Sequence, residues 1–304
     1  MSQTGRVGQL LATSFLRLEP GDQVPTIAEL AAAFEVGTGT VQKALDLLKD
    51  AGGVELQPRG HLGTFIRSVD RTALWKAAGA DIVVGSMPLP YSRRYEALAT
   101  GLRAAWPTDE LELLLSFARG SEQRLQALTS NRVDFAVMSR FAADNALERG
   151  LPIEVAVQLP GHSYVQGHEL LFAPGKGPEI KRGYRVGVDS TSADQVALTK
   201  LECADRAVEM IEISYMQLAE ALTTNRIDAA VWSSDQLVMP MPEVSRTELH
   251  NNESRQLAGT VTTAVIVTSA EGAPARELIR SLLDVGLLEE TLSRVLSGDE
   301  LPSY

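Results

Sequence analysis

Two stretches of the chain, LTSNRVDFAVMS at 128–139 and LTTNRIDAAVWS at 222–233, share eight of twelve residues without a gap. In each copy a helical pattern ends at an asparagine, Asn131 or Asn225, a residue that tolerates the left-handed conformation found after a helix C-terminus. An aspartate then leads into an apolar strand that stops at a serine. Each copy predicts the helix-to-strand half of a βαβ unit, so the repeat predicts two similar α/β lobes.

Strand patterns precede both copies, at 81–85 and 111–117 before the first and at 184–188 and 208–213 before the second. The segment 259–269 has no place in the second copy, so we expect the chain to cross back and complete the first lobe. Ligands of open parallel sheets bind beyond the carboxyl ends of the strands. Two facing lobes therefore predict a single ligand cleft with a hinge beside it.

Composition sets the outer limits of the function. The chain has 304 residues, a formal net charge of -11, and a single cysteine, Cys203, which cannot form an intrachain disulfide. The length predicts about two domains. No spacing of cysteine and histidine suggests a zinc site, and no apolar run approaches the ~20 residues of a membrane span. We expect a cytoplasmic protein with no cofactor and no metal, whose DNA contacts, if any, are local.

The first 70 residues have the pattern of a helix-turn-helix. Thr26 and Glu29 have the spacing of a capping box and open a helix over 27–34. A short turn at 35–39 leads into a second helix. The apolar stripe of that second helix comprises Val41, Ala44, Leu45 and Leu48.

Two short strand patterns, at 54–57 and 64–67, follow the helices and flank a tip that contains Arg59 and His61. A hairpin after a helix-turn-helix is a winged helix, in which the second helix enters the DNA major groove. The alternative is that these side chains are only solvated. The candidate DNA-contacting residues are Thr26, Thr38, Thr40, Gln42, Lys43, Arg59 and His61.

The motifs VPTIAEL (24–30), VGTGTVQKAL (36–45) and GHLGTFI (60–66) resemble the GntR-type winged helix. The combination is most similar to the YhfZ-type branch of these regulators, whose second part resembles a type 2 periplasmic-binding-protein fold. The resemblance implies a transcription regulator with an effector-binding domain. Gly37 and Thr38 replace the Ser-Arg pair that usually opens the second helix, which predicts an unusual operator.

The predicted fold is α/β, with an N-terminal winged helix-turn-helix and a bilobal type 2 periplasmic-binding-protein-like domain. The predicted boundaries are 1–70 for the winged helix, 71–79 for a linker and 80–304 for the bilobal domain, with lobe 1 at about 80–160 and 260–304 and lobe 2 at about 165–258.

The loop GVDSTSAD at 187–194 is the sharpest candidate for an effector site, because free N–H groups and the helix dipole favour an anion there. An ordinary N-cap is the alternative. Arginines elsewhere could instead be salt-bridged, and Trp232 could belong to the core. His162 and His168, which flank Tyr164, could line the hinge. The candidate ligand-binding residues are Ser86, Tyr91, Arg93, Arg94, Ser139, Arg140, Asp189, Ser190, Thr191, Ser192, Trp232 and Ser233.

These patterns favour a homodimeric regulator whose binding to a double-stranded DNA operator is controlled by a small, anionic metabolite. The rival hypothesis is an enzyme acting on a small anionic substrate in the cleft. The sequence GHSYV at 161–165 lacks the last glycine of G-x-S-x-G, and neither a Walker A nor an HExxH motif occurs. We therefore expect no catalytic residues. An exported solute-binding protein would explain the lobes but not the winged helix.

Overall fold

The computed structural model describes residues 2–107, 109–235, 244–271 and 275–304. The chain forms two compact units. The first contains Met1–Val83, Pro107–Leu114 and Ser269–Leu283, and the second contains Val84–Trp106, Leu115–Thr268 and Asp284–Tyr304.

The N-terminal elements form a winged helix, as predicted. They are α1 (Gln3–Phe15), β1 (Gln23–Val24), α2 (Ile27–Ala33), α3 (Thr38–Asp50), β2 (Val54–Pro58) and β3 (Thr64–Val69). The three strands form an antiparallel sheet in the order β1-β3-β2. The predicted apolar stripe of α3 is buried. The predicted capping box is also present: Thr26 Oγ1 accepts from Glu29 N at 3.2 Å, and Glu29 Oε2 accepts from Thr26 N at 2.7 Å.

A helix, α4 (Arg71–Ala77), occupies most of the segment 71–79 for which the sequence predicted a linker. Asp70 caps this helix by accepting from Ala73 N at 2.9 Å. Leu74 and Trp75 are buried at 0% and 2% exposure, so the segment is an ordered part of the first unit rather than a free connection.

The first lobe is a five-stranded sheet in the order β5-β4-β6-β13-β7. Its strands are β4 (Ile82–Pro88), β5 (Glu112–Ala118), β6 (Phe135–Ser139), β7 (Ile153–Gln158) and β13 (Ala264–Ser269). Its helices are α5 (Arg93–Ala104), α6 (Gly120–Thr129), α7 (Arg140–Glu148) and α13 (Val285–Ser297), while α12 (Ala275–Leu282) belongs to the first compact unit. Strand β13 pairs antiparallel with β6, which confirms that the chain crosses back to complete this lobe.

The second lobe repeats this arrangement in the order β10-β9-β11-β8-β12. Its strands are β8 (His168–Phe172), β9 (Arg185–Val188), β10 (Glu209–Glu212), β11 (Ala229–Ser233) and β12 (Ser245–Glu248). Its helices are α8 (Ala193–Glu202), α9 (Leu218–Thr223), α10 (Asn252–Gln256) and α11 (Ala258–Val261). The two repeat copies end in β6 and β11, which lie in different sheets, so the prediction of two lobes is confirmed.

Each repeat copy fixes its strand in the same way. Asn131 and Asn225 have φ angles of 54° and 53°, the left-handed conformation predicted for them. In the first lobe Asp134 Oδ2 accepts from Val84 N at 2.8 Å. In the second lobe Asp228 Oδ2 accepts from Arg185 N at 2.8 Å. The repeated aspartate therefore holds the end of each helix–strand turn against the neighbouring parallel strand.

Replacing the first of these aspartates tests its structural role. Asp134→Ala leaves the N–H of Val84 without its carboxylate acceptor, and we expect a loss of about 1–3 kcal/mol in the free energy of unfolding. Urea denaturation followed by circular dichroism measures this loss. The control Asp144→Ala removes a carboxylate from α7 that is 37% exposed. An equal effect of both variants would show that Asp134 contributes no more than a surface charge.

Candidate functional site

The two lobes approach each other at the N-termini of α6 and α8. The N–H of Glu122 in the first lobe donates to the carbonyl oxygen of Thr191 in the second at 3.3 Å. Gly120 has φ of 67°, and a Cβ atom at this position would overlap the same carbonyl oxygen. A second contact joins Ala193 N to Ser121 Oγ at 3.4 Å. Glycine is therefore required for the lobes to come this close.

A pocket lies between the lobes beside this contact. The volume that the centres of water-sized molecules can reach is about 40 Å³, enough for a few water molecules or one small polar group. The first lobe and the hinge contribute Pro88, Leu89, Tyr91, Tyr95, Arg119, Gly120, Ser121, Arg124, Tyr164 and Val165. The second lobe contributes His168, Asp189, Ser192, Asp194, Gln195, Trp232 and Ser233.

Two arginines from the first lobe supply positive charge. Arg119 Nη2 donates to Asp189 Oδ1 of the second lobe at 2.9 Å. Arg124 is only 1% exposed, and it donates to the carbonyl of Ala118 and to the Tyr164 hydroxyl, both at 2.9 Å. Its Nε is buried with no hydrogen-bond partner among the described residues. Arg124 is thus a buried cation that keeps donor capacity beside the pocket.

Asp194 is a buried carboxyl group at the start of α8. Its Oδ1 accepts from Ser139 Oγ of the first lobe at 2.6 Å. Burial raises the pKa of Asp194 to about 7, although the hydrogen bond from Ser139 and the charge of Arg124 oppose the shift. Near neutral pH this group therefore exists in both its neutral and its ionised form.

Three further titratable groups of the pocket, His168, Tyr91 and Tyr164, are neutral at pH 7. Burial lowers the pKa of His168 to about 4. The rings of Tyr91 and Tyr95, and those of Tyr95 and Tyr164, lie with centroids 5.2 Å apart. Burial raises the pKa of Tyr91 and of Tyr164 above the ordinary value. The aromatic wall is therefore uncharged at neutral pH.

The loop that precedes α8 has the N-cap structure that the sequence left as one alternative. Ser192 Oγ accepts from Gln195 N at 3.4 Å. The Gln195 side chain accepts from Asp189 N at 2.5 Å and donates to Val231 O at 3.0 Å. These bonds fix the N-terminus of α8, and both Ser192 and Gln195 also line the pocket.

The structure brings part of the predicted ligand set together. The predicted residues that line the pocket are Tyr91, Asp189, Ser192, Trp232 and Ser233. Ser139 lies behind the pocket wall, where it binds Asp194. Thr191 contacts the first lobe through Arg119 Nε, which donates to its hydroxyl at 3.3 Å. His168 and Tyr164, weighed as hinge-side residues, also line the pocket, whereas His162 does not.

Other predicted ligand residues lie outside the pocket and have different partners. Arg93 pairs with Glu96 at 3.5 Å. Arg94 donates to Asp235 Oδ1 at 2.7 Å and to the carbonyl of His162 at 2.5 Å, so it joins α5 to the hinge.

Three more candidates also lie away from the pocket lining. Arg140 binds Asp144 and Gln158, both at 2.7 Å. Ser86 is buried within β4. The hydroxyl of Ser190 donates to Glu212 at 3.0 Å on the exposed surface.

The sequence prediction missed the cations of the pocket. Arg119 lies between β5 and α6, at the N-cap position of α6, and Arg124 lies in the first turns of α6, as does the pocket residue Ser121. The signal was present, because a strand was predicted over 111–117 and a helix from 122. The rule that selected the loop 187–194 selects this loop as well.

The predicted DNA-contacting residues lie on the exposed side of the winged helix. Thr38, Gln42 and Lys43 are exposed on α3, and Thr40 is half-buried. Gln42 Nε2 donates to the Asp46 carboxylate at 3.2 Å, one turn further along the helix.

The remaining candidates belong to α2 and the wing. Thr26 is used in the cap of α2. In the wing, the Arg59 guanidinium lies 4.5 Å from the Phe65 ring centroid. His61 is exposed in the 3-10 turn Gly60–Leu62.

Across the described residues, no helix is long and apolar enough to span a membrane. The same part of the chain contains no cluster of three or more histidine, cysteine, aspartate or glutamate side chains that could hold a metal ion.

A winged helix followed by two lobes of the same strand order defines the class of this protein: a helix-turn-helix domain joined to a bilobal α/β domain. A helix-turn-helix domain model matches residues 19–66, and the model of the YhfZ C-terminal domain matches residues 70–304. The chain belongs to the YhfZ family.

Individual relatives agree with this family. The uncharacterized protein YhfZ of Escherichia coli K12 is 32% identical over 306 residues, which cover 100% of this chain and 98% of the relative. The crystal structure of YhfZ from Shigella flexneri has a TM-score of 0.61 and 32% identity, covering 77% of this chain and 97% of that one. The HTH-type transcriptional regulator Rv1152 of Mycobacterium tuberculosis is 41% identical over 68 residues, 22% of this chain and 54% of its own.

Gly120→Ala tests the contact between the lobes. We expect this variant to hold the lobes apart, because its Cβ would overlap Thr191, and to increase the radius of gyration measured by X-ray scattering. Gly150→Ala is a matched control, since Gly150 also has a positive φ, 78°, but no atom lies within 4 Å of the added Cβ. Both variants carry the left-handed penalty of about 1–2 kcal/mol. A radius unchanged in Gly120→Ala would contradict the described closure.

Proposed function

We propose that the protein is a transcription regulator whose affinity for DNA is controlled by a small anion bound between the two lobes. The observation that carries this proposal is the pairing, in one chain, of a winged helix with an enclosed inter-lobe pocket that contains a buried arginine. The name of the mycobacterial relative, a transcriptional regulator, supports the role of the winged helix.

The chemistry of the pocket favours an anion. Arg119 and Arg124 contribute two positive charges, and Asp189 compensates only the first of them. The N-termini of α6 and α8 both border the pocket, and each adds a partial positive charge from its helix dipole. The hydroxyls of Ser121 and Ser192 add polar groups on opposite sides. An oxyanion of a few atoms fits both this charge and the available volume.

The coupling follows from a difference in affinity. A ligand that touches both lobes binds the closed form more tightly than the open form, so it shifts the population toward closure. We propose that the regulator is a homodimer and that closure changes the spacing of two winged helices on a roughly palindromic site. In each winged helix, α3 lies in the major groove with Thr38, Thr40, Gln42 and Lys43, and the wing brings Arg59 and His61 to the backbone.

The enzyme hypothesis has less support from the geometry. Serine, histidine and aspartate side chains line the pocket, but the Nδ1 atom of His168 has no hydrogen-bond partner among the described residues. The hydroxyl of Ser233 donates to Asp235 at 2.9 Å instead. A nucleophile, a base and an orienting group are therefore not connected here, and binding is the function we infer.

Two substitutions test the DNA-binding surface on a duplex selected by the full-length protein from a random-sequence library. We expect Gln42→Ala to weaken binding by about tenfold or more, since one bidentate base contact contributes about 1–3 kcal/mol. Arg59→Ala is expected to weaken binding to all duplexes similarly. It should also lower the slope of the logarithm of affinity against the logarithm of salt concentration by about one, the value for one phosphate contact. Fluorescence anisotropy measures both affinities.

Lys200→Ala is the control for charge. Lys200 is exposed in the last turn of α8, so the substitution removes the same positive charge from a different surface. Its DNA affinity should equal that of the unmodified protein. Unchanged affinity in both Gln42→Ala and Arg59→Ala would refute the proposed docking of α3 and the wing.

The ligand side is tested with acetate, sulfate and inorganic phosphate. We expect at least one of these anions to raise the thermal unfolding midpoint and to change the DNA affinity, because it binds the closed form. Arg119→Gln should weaken the binding of that anion by about tenfold, the effect of removing one charged contact. The matched control Arg140→Gln, whose side chain lies outside the pocket, should leave binding intact. No response to any of the three anions would count against anion control.

A further inference from the structure

The position of Asp194 restricts what kind of anion the cleft can take. One carboxyl oxygen, Oδ1, accepts the Ser139 hydroxyl at 2.6 Å, and that hydroxyl in turn accepts from Ala142 N at 3.0 Å. The Ser139 proton is therefore directed at Asp194. The second oxygen, Oδ2, is the one left for the pocket, which Asp194 lines at 7% exposure.

The titratable side chains that share the pocket with Asp194 come from several elements of both lobes. Arg119 precedes α6 and is paired at 2.9 Å with the buried Asp189 after β9. It also lies 4.0 Å from Glu212 of β10, but that side chain is 56% exposed, so solvent screens its charge and only Asp189 is counted in the buried balance. Arg124 on α6 makes no ion pair among the described residues, and its partners are a carbonyl and a hydroxyl. His168 on β8 is neutral because burial lowers its pKa to about 4. The hydroxyls of Tyr91 and Tyr164 are neutral as well, because burial raises the pKa of both.

These groups leave a simple charge balance. With Asp189 compensating Arg119, the buried charge of Arg124 is the one without a carboxylate partner. If Asp194 is neutral, one negative charge on the ligand balances the pocket. If Asp194 is ionised, the pocket is already balanced, and a zwitterion fits instead. The protonation of Asp194 therefore selects between two classes of ligand.

We propose that Asp194 lies in the closed cleft as a neutral acid that donates its proton in a hydrogen bond to the bound ligand, so that the cleft takes up a monoanion together with one proton. This inference rests on the proposed function and specifies the ligand class of the same site. The ligand oxygen receives hydrogen bonds from Asp194 and from Arg124, and no covalent bond changes. Asp194 is in this sense a specificity-determining residue.

Burial favours the neutral form of the Asp194 carboxyl group. Burial raises the pKa of Asp194 to about 7, and a ligand anion close to the carboxyl group raises it further, because like charges disfavour a second ionisation. A protein that must gain a proton to bind its ligand loses affinity as the pH rises above the pKa of the free protein, by about tenfold per pH unit.

The decisive variant is Asp194→Asn, which keeps an acceptor for Ser139, has a donor for the ligand and cannot ionise. The first measurement needs no ligand: the thermal unfolding of the full-length protein and the variant across about pH 4 to 8. The folded pKa lies above the unfolded one, so stability falls relative to the variant between about pH 4 and 7 and is level above it. Asp144→Asn, at a side chain of α7 that is 37% exposed, should show no such pH-dependent difference.

The second measurement is calorimetric titration with acetate, sulfate and glycine at about pH 6 and about pH 8, where the charges of these probes are constant. The unmodified protein is expected to bind acetate about tenfold more weakly at about pH 8 than at about pH 6. It should take up about one proton on binding at the higher pH and almost none at the lower, counted in buffers of different ionisation enthalpy. Asp194→Asn is expected to bind acetate equally at both values.

Several results overturn the inference alone: a flat ligand-free difference between Asp194→Asn and the unmodified protein, tighter binding of sulfate than of acetate, or loss of acetate binding in the variant. Glycine binding that strengthens at the higher pH and disappears in the variant would show an ionised Asp194 that pairs with an ammonium group. If acetate and sulfate fail to bind at either pH, and inorganic phosphate also fails to raise the thermal unfolding midpoint, the proposed function itself is overturned together with this inference.

Discussion

Closing the two lobes removes charged groups from water, and each charge that is buried must then find a partner. Arg124 is 1% exposed, and Asp189 and Asp194 are 1% and 7% exposed. Burying an unpaired charge costs several kcal/mol, so the closed form depends on how these three groups are neutralised. Asp189 is paired with Arg119, burial raises the pKa of Asp194 to about 7, and the described partners of Arg124 are the carbonyl of Ala118 and the hydroxyl of Tyr164. The ligand control of closure that we propose would follow from this imbalance.

The two lobes have equivalent strand orders, but the cleft does not use equivalent elements. In the first lobe the pocket is formed by the loop after β5 and the start of α6, and in the second by the loop after β9 and the start of α8. The element equivalent to α8 in the first lobe is α5. Its first turn carries Arg94, which binds Asp235 and the hinge instead of the pocket. The repeat thus supplies the scaffold, and the site arises where the two copies differ.

This asymmetry explains what could be predicted from the sequence. The lobes, the return of β13 and the left-handed asparagines all follow from local patterns that recur in both copies. The capping box of Thr26 and the buried stripe of α3 are equally local. Asp189, Ser192 and Trp232 were placed near the cleft because strand ends face it. Arg119 and Arg124 were missed because the candidates chosen in the first lobe, such as Arg93 and Arg94, follow β4. The loop after β5 also follows a strand end, but only the tertiary arrangement shows which of the two meets the second lobe. The pKa of Asp194 depends on burial by the opposite lobe, which no local pattern contains.

Control of DNA binding by the cleft requires that the effect be reciprocal: if closure changes the affinity for DNA, DNA must change the population of closed lobes by the same factor. Single-molecule energy transfer between two dyes measures that population. The dyes are attached at Arg132→Cys and Arg226→Cys, which are exposed and equivalent positions of the two repeat copies. The buried Cys203 is replaced by serine so that only these two positions are labelled. The proposed mechanism predicts that the selected DNA duplex shifts the distribution of inter-lobe distances. A distribution that is identical with and without DNA would contradict it.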